Sequence, residues 1–285
     1  MKKVLVTGST GFIGNLVIKE LLNKGYCVIA TSSSVETAKR FDWFQDVVYK
    51  ELNFTSLDAN INYFTFFEQP DCLIHLAWEG LPNYKSSFHV VDNLPRHLLF
   101  LNNMLQNGLK DLTVAGTCLE YGMLEGCLSE EMDVCPIVSY AIAKNMLRNE
   151  LEKVCEHQSA CFKWLRLFYM YGRGQNSNSL FAQLEKALEN HESVFNMSGG
   201  EQERDFLPID KMVNSIVTIA LQKEVVGVIN CCSGQPIKVK RLVKNILSEK
   251  GATLKLNLGF YPYTDYEPMS FWGDNTKLKK ITQHE

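Results

Sequence analysis

Tyr140 and Lys144 stand four residues apart in SYAIAKNMLRNELE, a segment with helical patterning, so their side chains share one helix face, one turn from each other. A nearby ammonium lowers the pKa of a phenol, which makes Tyr140 competent to exchange a proton with an alcohol or a carbonyl near neutral pH. Taken alone, the pair also reads as a snorkelling surface couple. Thr117 strengthens the chemical reading, because it ends the β-rich run DLTVAGT and strand C-termini of an open parallel sheet border the ligand crevice. A further constellation opens the chain, where Gly8, Gly11 and Gly14 form GxxGxxG between the run KKVLVTG and an amphipathic segment from Phe12 to Lys24. Gly8 permits a tight turn, Gly11 lets backbone approach a pyrophosphate, and Gly14 lets helix and strand pack closely. The helix N-terminus adds N–H donors and a positive dipole. The alternative is a glycine-rich connection that holds no ligand.

Such a turn binds a dinucleotide, and the end of the second strand then distinguishes NAD from NADP. NAD sites carry Asp or Glu about 20 residues on, to bond the ribose hydroxyls. Here that end reads Thr31, Ser32, Ser33, Ser34. Without a carboxylate to repel a 2′-phosphate, and with hydroxyls followed by Lys39 and Arg40, NADP is favoured. Glu36 leaves NAD open, and Lys39 with Arg40 also reads as an ordinary solvated helix face.

The elements that must position these residues alternate. Strand-like runs at KKVLVTG, YCVIATS, DVVYKEL, DCLIHLA, DLTVAGT and FKWLRLF are separated by helical patterns at Phe12–Lys24, Val35–Phe44, Val90–Asn107 and Tyr140–His157. This rhythm predicts an α/β fold: a Rossmann-type doubly wound parallel sheet covered on both faces. After Gly172 the character changes, with loop-marking Gly and Asn residues, helices near Leu180–Asn190 and Lys211–Gln222, and a short strand at VGVIN. The expected division is a dinucleotide-binding domain at 1–171 and a smaller C-terminal α/β substrate-binding lobe at 172–285, with the chain partly interleaved.

Size and charge narrow the classes. At 285 residues, 46% hydrophobic, the chain can bury one full core and a smaller second one. Its 29 basic and 32 acidic residues nearly balance, which argues against nucleic acid or an anionic membrane as partner. The apolar start, Val4 to Val6, is too short for a signal peptide, and no stretch approaches a membrane span. Nine scattered cysteines without metal-ligand spacing suggest buried thiols in a reducing, cytoplasmic compartment and no metal site.

TGSTGFIG, HLAW, AGTCLEYG and YAIAK together resemble the extended short-chain dehydrogenase/reductase superfamily (the NAD-dependent epimerase/dehydratase family) in its nucleotide-sugar branch, over nearly the whole chain. The resemblance implies Tyr140 as acid/base, Lys144 as the residue that binds the nicotinamide ribose and depresses the tyrosine pKa, and Thr117 as a hydrogen-bond partner of the substrate oxygen. It implies cofactor contacts from Thr10, Phe12 and Ile13 in the turn, and from Ser32, Ser33 and Arg40 beyond the second strand. Asn53 and Phe54 match the adenine-binding segment, Leu76, Ala77 and Trp78 the cofactor-lining strand end, and Asn93 a supporting helix residue. ERDFLPIDK resembles the family's RDF-x-x-x-D segment, which makes Arg204 a ligand for a substrate diphosphate, the alternative being an Arg204–Asp205 ion pair.

Departures narrow the reaction. Tyr169 stands where the family often has Asn, at the sugar. Cys118 and Leu119 replace the Asp-Glu pair of 4,6-dehydratases, and YGRGQN lacks the His of epimerising reductases, so Cys118 reads as a packed small residue. What remains is reduction of the C4 keto group of a nucleotide-linked 4-keto-6-deoxyhexose, similar to dTDP-4-dehydro-6-deoxyglucose reductases that make D-fucose, with NADP(H) favoured and NAD(H) open. A 4-epimerase with tightly held NAD uses the same residues, and a non-catalytic dinucleotide-binding module is a third reading. The superfamily commonly dimerises through the helices at Val90–Asn107 and Tyr140–His157, which implies a homodimer, although Leu94, Leu98, Leu101 and Leu105 could equally cover the sheet. Tyr261, Tyr263, Tyr266, Phe271 and Trp272 either stack on a ligand or close the small lobe.

Overall fold

The computed structural model describes residues 2–282. Its largest element is a parallel seven-stranded sheet in the order Gly227–Cys231, Cys161–Leu167, Asp111–Thr117, Cys72–His75, Lys3–Thr7, Cys27–Thr31, Val48–Tyr49. Alternate side chains of each strand feed opposite faces. Val4, Val6, Val28 and Ala30 join Val17, Ile18 and Leu21 of the helix Phe12–Asn23 and Met212, Ile216 and Ile219 of the helix Ile209–Leu221. Leu5, Ile29, Leu73 and Leu112 face the other way, onto Phe100, Leu101 and Leu105 of Leu94–Gln106 and Leu147 and Leu151 of Ser139–His157. Both faces are therefore sealed, and the open crevice lies at the strand C-termini.

A smaller sheet, Tyr169–Tyr171, Glu203–Pro208 and Pro236–Lys238, carries the helices Leu180–Glu189 and Val239–Glu249 and has its own core around Leu184, Phe195, Val243 and Leu247. The chain returns from it to the large sheet. VGVIN, expected in the second lobe, instead forms the edge strand beside Cys161–Leu167, and Ile209–Leu221 packs on the first helix. The layers thus do not divide at residue 171, because both segments are apolar enough to be covered on the large sheet.

Two helices differ from expectation. The one predicted at Val35–Phe44 ends at Ala38, where Phe41 turns extended and stacks on buried Trp43 at 5.2 Å, followed by a 3-10 turn at Asp42–Asp46. The one predicted from Val90 begins as a π-turn, His89–Asn93, because Pro95 has no N–H to continue regular bonding into that turn. Leu94, Leu101 and Leu105 are buried against the sheet, so they cover the core and are not free for a second copy. Among the described residues, no helix is long and apolar enough to cross a membrane.

Candidate active site

The glycine turn is built as its spacing requires. Gly8 has φ +69°, and a Cβ there would come within 2.8 Å of the Ala77 nitrogen. A Cβ on Gly14 would overlap the Gly8 carbonyl, so only glycine allows this helix to sit on this strand. Gly8, Thr10, Gly11, Ser32, Ser33, Phe54, Leu76, Ala77 and Trp78 line one cleft of about 210 Å³. Phe12 and Ile13 lie in the first helical turn beside it. Nε2 of His97, which also lines the cleft, is buried without a protein partner, as are the hydroxyls of Ser9 and Thr31 in the neighbouring backbone. A backbone cradle without Cβ atoms, a helix N-terminus and unpaired polar atoms fit a dinucleotide.

Four of the residues expected near the cofactor stand apart from that lining. Arg40 is exposed beyond the short helix Val35–Ala38. Lys39 is paired with Glu36 at 2.7 Å on the surface, the ordinary solvated face. The Asn53 side-chain oxygen accepts from the Thr55 N–H at 2.9 Å and caps the turn that presents Phe54. Asn93 donates to the Glu79 carbonyl at 2.8 Å and ties down the loop after HLAW.

Thr117, Tyr140 and Lys144 are brought together at the C-terminal end of the strand Asp111–Thr117. Thr117 caps the turn Cys118–Tyr121 in a reciprocal box: its hydroxyl accepts from the Leu119 N–H, and its own N–H donates to buried Glu120 at 2.9 Å. Glu120 also accepts from Trp164 Nε1 at 3.0 Å and Arg166 Nε at 3.0 Å, so it points into the sheet, away from the crevice. Tyr140 opens the helix Ser139–His157, held by its N–H bonding to the Tyr84 carbonyl at 2.9 Å. Lys144 donates to the Ala115 carbonyl at 2.8 Å and lies 4.0 Å over the Trp78 ring.

Burial dominates the electrostatics. It lowers Lys144 to about 7, with Glu120 acting in the opposite sense. Burial also pushes the Tyr140 phenol upward, and only a hydrogen bond from Thr117 opposes the shift. Lys144 was expected to depress the tyrosine pKa. Its ammonium, one helix turn from Tyr140, is desolvated and engaged by the Ala115 carbonyl and the Trp78 ring. The Cys118 thiol is buried and shifted far upward by that burial, which leaves it a packed neutral group.

A second cavity, about 410 Å³, lies against the small sheet and is lined by Tyr169, Arg204, Gln183, Tyr261 and Glu267, among others. Arg204 is present, but neither alternative from the sequence describes it fully. It donates to Glu267 at 3.2 Å and to the carbonyls of Glu203 at 2.8 Å and Met269 at 3.2 Å, over the Phe271 ring. Asp205 serves elsewhere, accepting from the Ser233 N–H at 2.7 Å and the Gly234 N–H at 2.8 Å. Tyr169 packs on Phe206 and Phe271, its hydroxyl raised by burial and by the Glu267 carboxylate. Of the late aromatics, Tyr261 lines the cavity, Tyr266 packs near Tyr84, and Phe271 is buried beneath Arg204.

The sequence alone assigns no role to Glu120, His75, His97 or Glu267. Thr117-x-x-Glu120 is a readable capping box and could have revealed the first. The others meet their partners only through the fold.

The NAD dependent epimerase/dehydratase family model matches residues 4–232. A dTDP-6-deoxy-L-talose 4-dehydrogenase (NAD(+)) of Aggregatibacter actinomycetemcomitans is 31% identical over 271 residues, 95% of this chain and 98% of that protein. A dTDP-4-dehydro-6-deoxyglucose reductase of Escherichia coli is 22% identical, covering 85% of this chain and 80% of its own. Among solved structures, UDP-glucose 4-epimerase of Thermotoga maritima with UDP-glucose superposes with TM-score 0.82 at 23% identity, covering 98% of this chain and 91% of that one.

Proposed function

The chain belongs to the NAD-dependent epimerase/dehydratase family, and from that premise we propose that it reduces the C4 ketone of a dTDP-linked 4-keto-6-deoxyhexose, a reversible exchange with the C4 alcohol. The observation that carries this reading is the convergence of Thr117, Tyr140 and Lys144 beside Trp78, whose ring lines the glycine-turn cleft. The turn of Gly8, Gly11 and Gly14 would hold a nicotinamide dinucleotide, which would supply the hydride for C4 or accept it in the reverse direction. Tyr140 gives its proton to the substrate oxygen, and burial keeps it the neutral phenol that this step needs. Thr117 bonds the same oxygen, and Lys144, one turn along the helix, meets the charge left on the phenolate.

Elimination and relocation of protons at neighbouring carbons are poorly served. Glu120 is turned into the sheet against Arg166, and Cys118 is neutral and packed. The two most relevant relatives are named for oxidation or reduction at C4 of dTDP-6-deoxyhexoses, which supports the same ketone–alcohol pair. For the cofactor, no Lys or Arg among the described residues lines the cleft beside Ser32 and Ser33. With Lys39 paired and Arg40 outside, this supports NAD(H) above the NADP(H) that the sequence favours.

The test is nicotinamide absorbance after mixing the purified chain with enzymatically prepared dTDP-4-keto-6-deoxyglucose and either NADH or NADPH. Loss of reduced cofactor equal to the sugar consumed, faster with NADH, is the expected result. No loss, together with NAD released only on denaturation, would make the protein a 4-epimerase instead.

A further inference from the structure

A chain of three buried side chains runs from the first strand to the wall of the glycine-turn cleft. The Thr7 hydroxyl oxygen accepts from the N–H groups of Leu76 at 3.2 Å and Ala77 at 3.3 Å. With both lone pairs occupied, its own proton must be donated, and it lies 2.9 Å from His75 Nδ1. His75 therefore accepts at Nδ1 and carries its proton at Nε2, which lies 2.8 Å from His97 Nδ1. His97 in turn accepts at Nδ1, which leaves its proton on Nε2.

That last N–H has no partner in the protein, although His97 is only 1% exposed. An unmet buried donor is costly, and this one lines a cleft in which a ligand acceptor can meet it. His97 lines the cleft, with its ring stacked between Trp78 at 4.6 Å and Phe54 at 4.7 Å, so it has little freedom to seek another partner. Phe54 belongs to the end of the cleft beside the second strand, since the neighbouring Leu52 N–H bonds the Ser32 carbonyl at 3.0 Å. The pyrophosphate falls to the glycine turn and the helix N-terminus, which leaves the adenosine moiety beside Phe54 and His97.

We infer that His97 Nε2–H, with its tautomer fixed through His75 by Thr7, is a donor to an acceptor atom on the adenosine diphosphate half of the dinucleotide. The inference rests on the cleft being the dinucleotide site, and it adds a binding residue that neither the glycine turn nor the catalytic residues contain. Burial, and the positive charge of Lys144 nearby, hold both imidazoles neutral, the state in which this ordered arrangement exists.

The experiment titrates NAD+, ADP and nicotinamide mononucleotide into the full chain and into His97→Phe, which keeps an aromatic ring between Phe54 and Trp78 but has no donor. Loss of one neutral hydrogen bond should weaken NAD+ and ADP by the same factor, roughly fivefold, and leave the mononucleotide unchanged. Two-bond ¹H–¹⁵N spectra of the histidines give a readout that does not need the variant to fold: His97 should be protonated at Nε2, and that resonance should move when ADP is added. Equal affinities in the two chains, or a proton on His97 Nδ1, would overturn the inference. Weakening confined to NAD+ would overturn the assignment to the adenosine half. If the unaltered chain binds neither NAD+ nor ADP, the dinucleotide reading of the cleft fails as well.

Discussion

Arg166 and Glu120 meet at 3.0 Å beneath the strand that ends in Thr117, and Arg204 and Glu267 meet at 3.2 Å in the wall of the second cavity. The first pair is sealed: Glu120 is fully buried and also receives Trp164 and the Thr117 backbone. The second is open on one side, since the Glu267 side chain retains 13% of its exposure and sits on an irregular segment. A buried charge whose every lone pair is met fixes geometry, here the position of a reacting hydroxyl. A charge pair bordering a cavity can be exchanged, and the phosphates of a nucleotide sugar would take Arg204 from Glu267. Lys144 is a third case, a buried cation with no carboxylate within 4.0 Å among the described residues and a pKa near 7 as a result.

Breaking the sealed pair should have the largest effect. Glu120→Ala leaves Arg166 buried without its counter-charge and should cost about 3–5 kcal/mol in urea unfolding. Glu120→Gln, which keeps an acceptor for the Thr117 N–H, should cost less. Opening the second pair from the other side, Arg204→Ala should weaken binding of a dTDP-sugar roughly 30-fold by calorimetry, and NAD+ affinity should hold because the two cavities are separate.

Lys144 should show as a slope. Unfolded, it titrates near 10.5, and folded near 7, so between those values the unfolded chain holds more protons and stability rises with pH. The gain should not exceed about 1.4 kcal/mol per pH unit, and Lys144→Met should remove it, as read from denaturant midpoints at pH 7 and 9. The smallest effect belongs to Glu267→Gln. It should tighten dTDP-sugar binding by about threefold and change stability by less than about 1 kcal/mol, as expected of a pair in contact with water.

The contrast also explains what could be read in advance. The turn of Gly8, Gly11 and Gly14, the alternation of strands and helices, and the Tyr140–Lys144 spacing are set by neighbours within a few residues, and such constraints are written locally. The partner of Arg204 is 63 residues away on a segment without periodicity, and only the fold shows that it is Glu267 and not adjacent Asp205. His75 and His97 are 22 residues apart, and nothing in either segment signals their contact. VGVIN was misplaced because a short apolar run fits either sheet, and the covering helix Ile209–Leu221 decides between them. The burial of Tyr140 and Lys144 is a related case: spacing shows that a cation is near the phenol, and only the fold shows how far both are withdrawn from water.

Tyr140 as the proton donor is tested most directly by single-turnover hydride transfer in Tyr140→Phe, with cofactor and sugar affinities measured on the same samples. Binding within about twofold of the unaltered chain, with hydride transfer slowed about a hundredfold or more, is the predicted result. Hydride transfer at the unaltered rate in a variant that binds both ligands would contradict it.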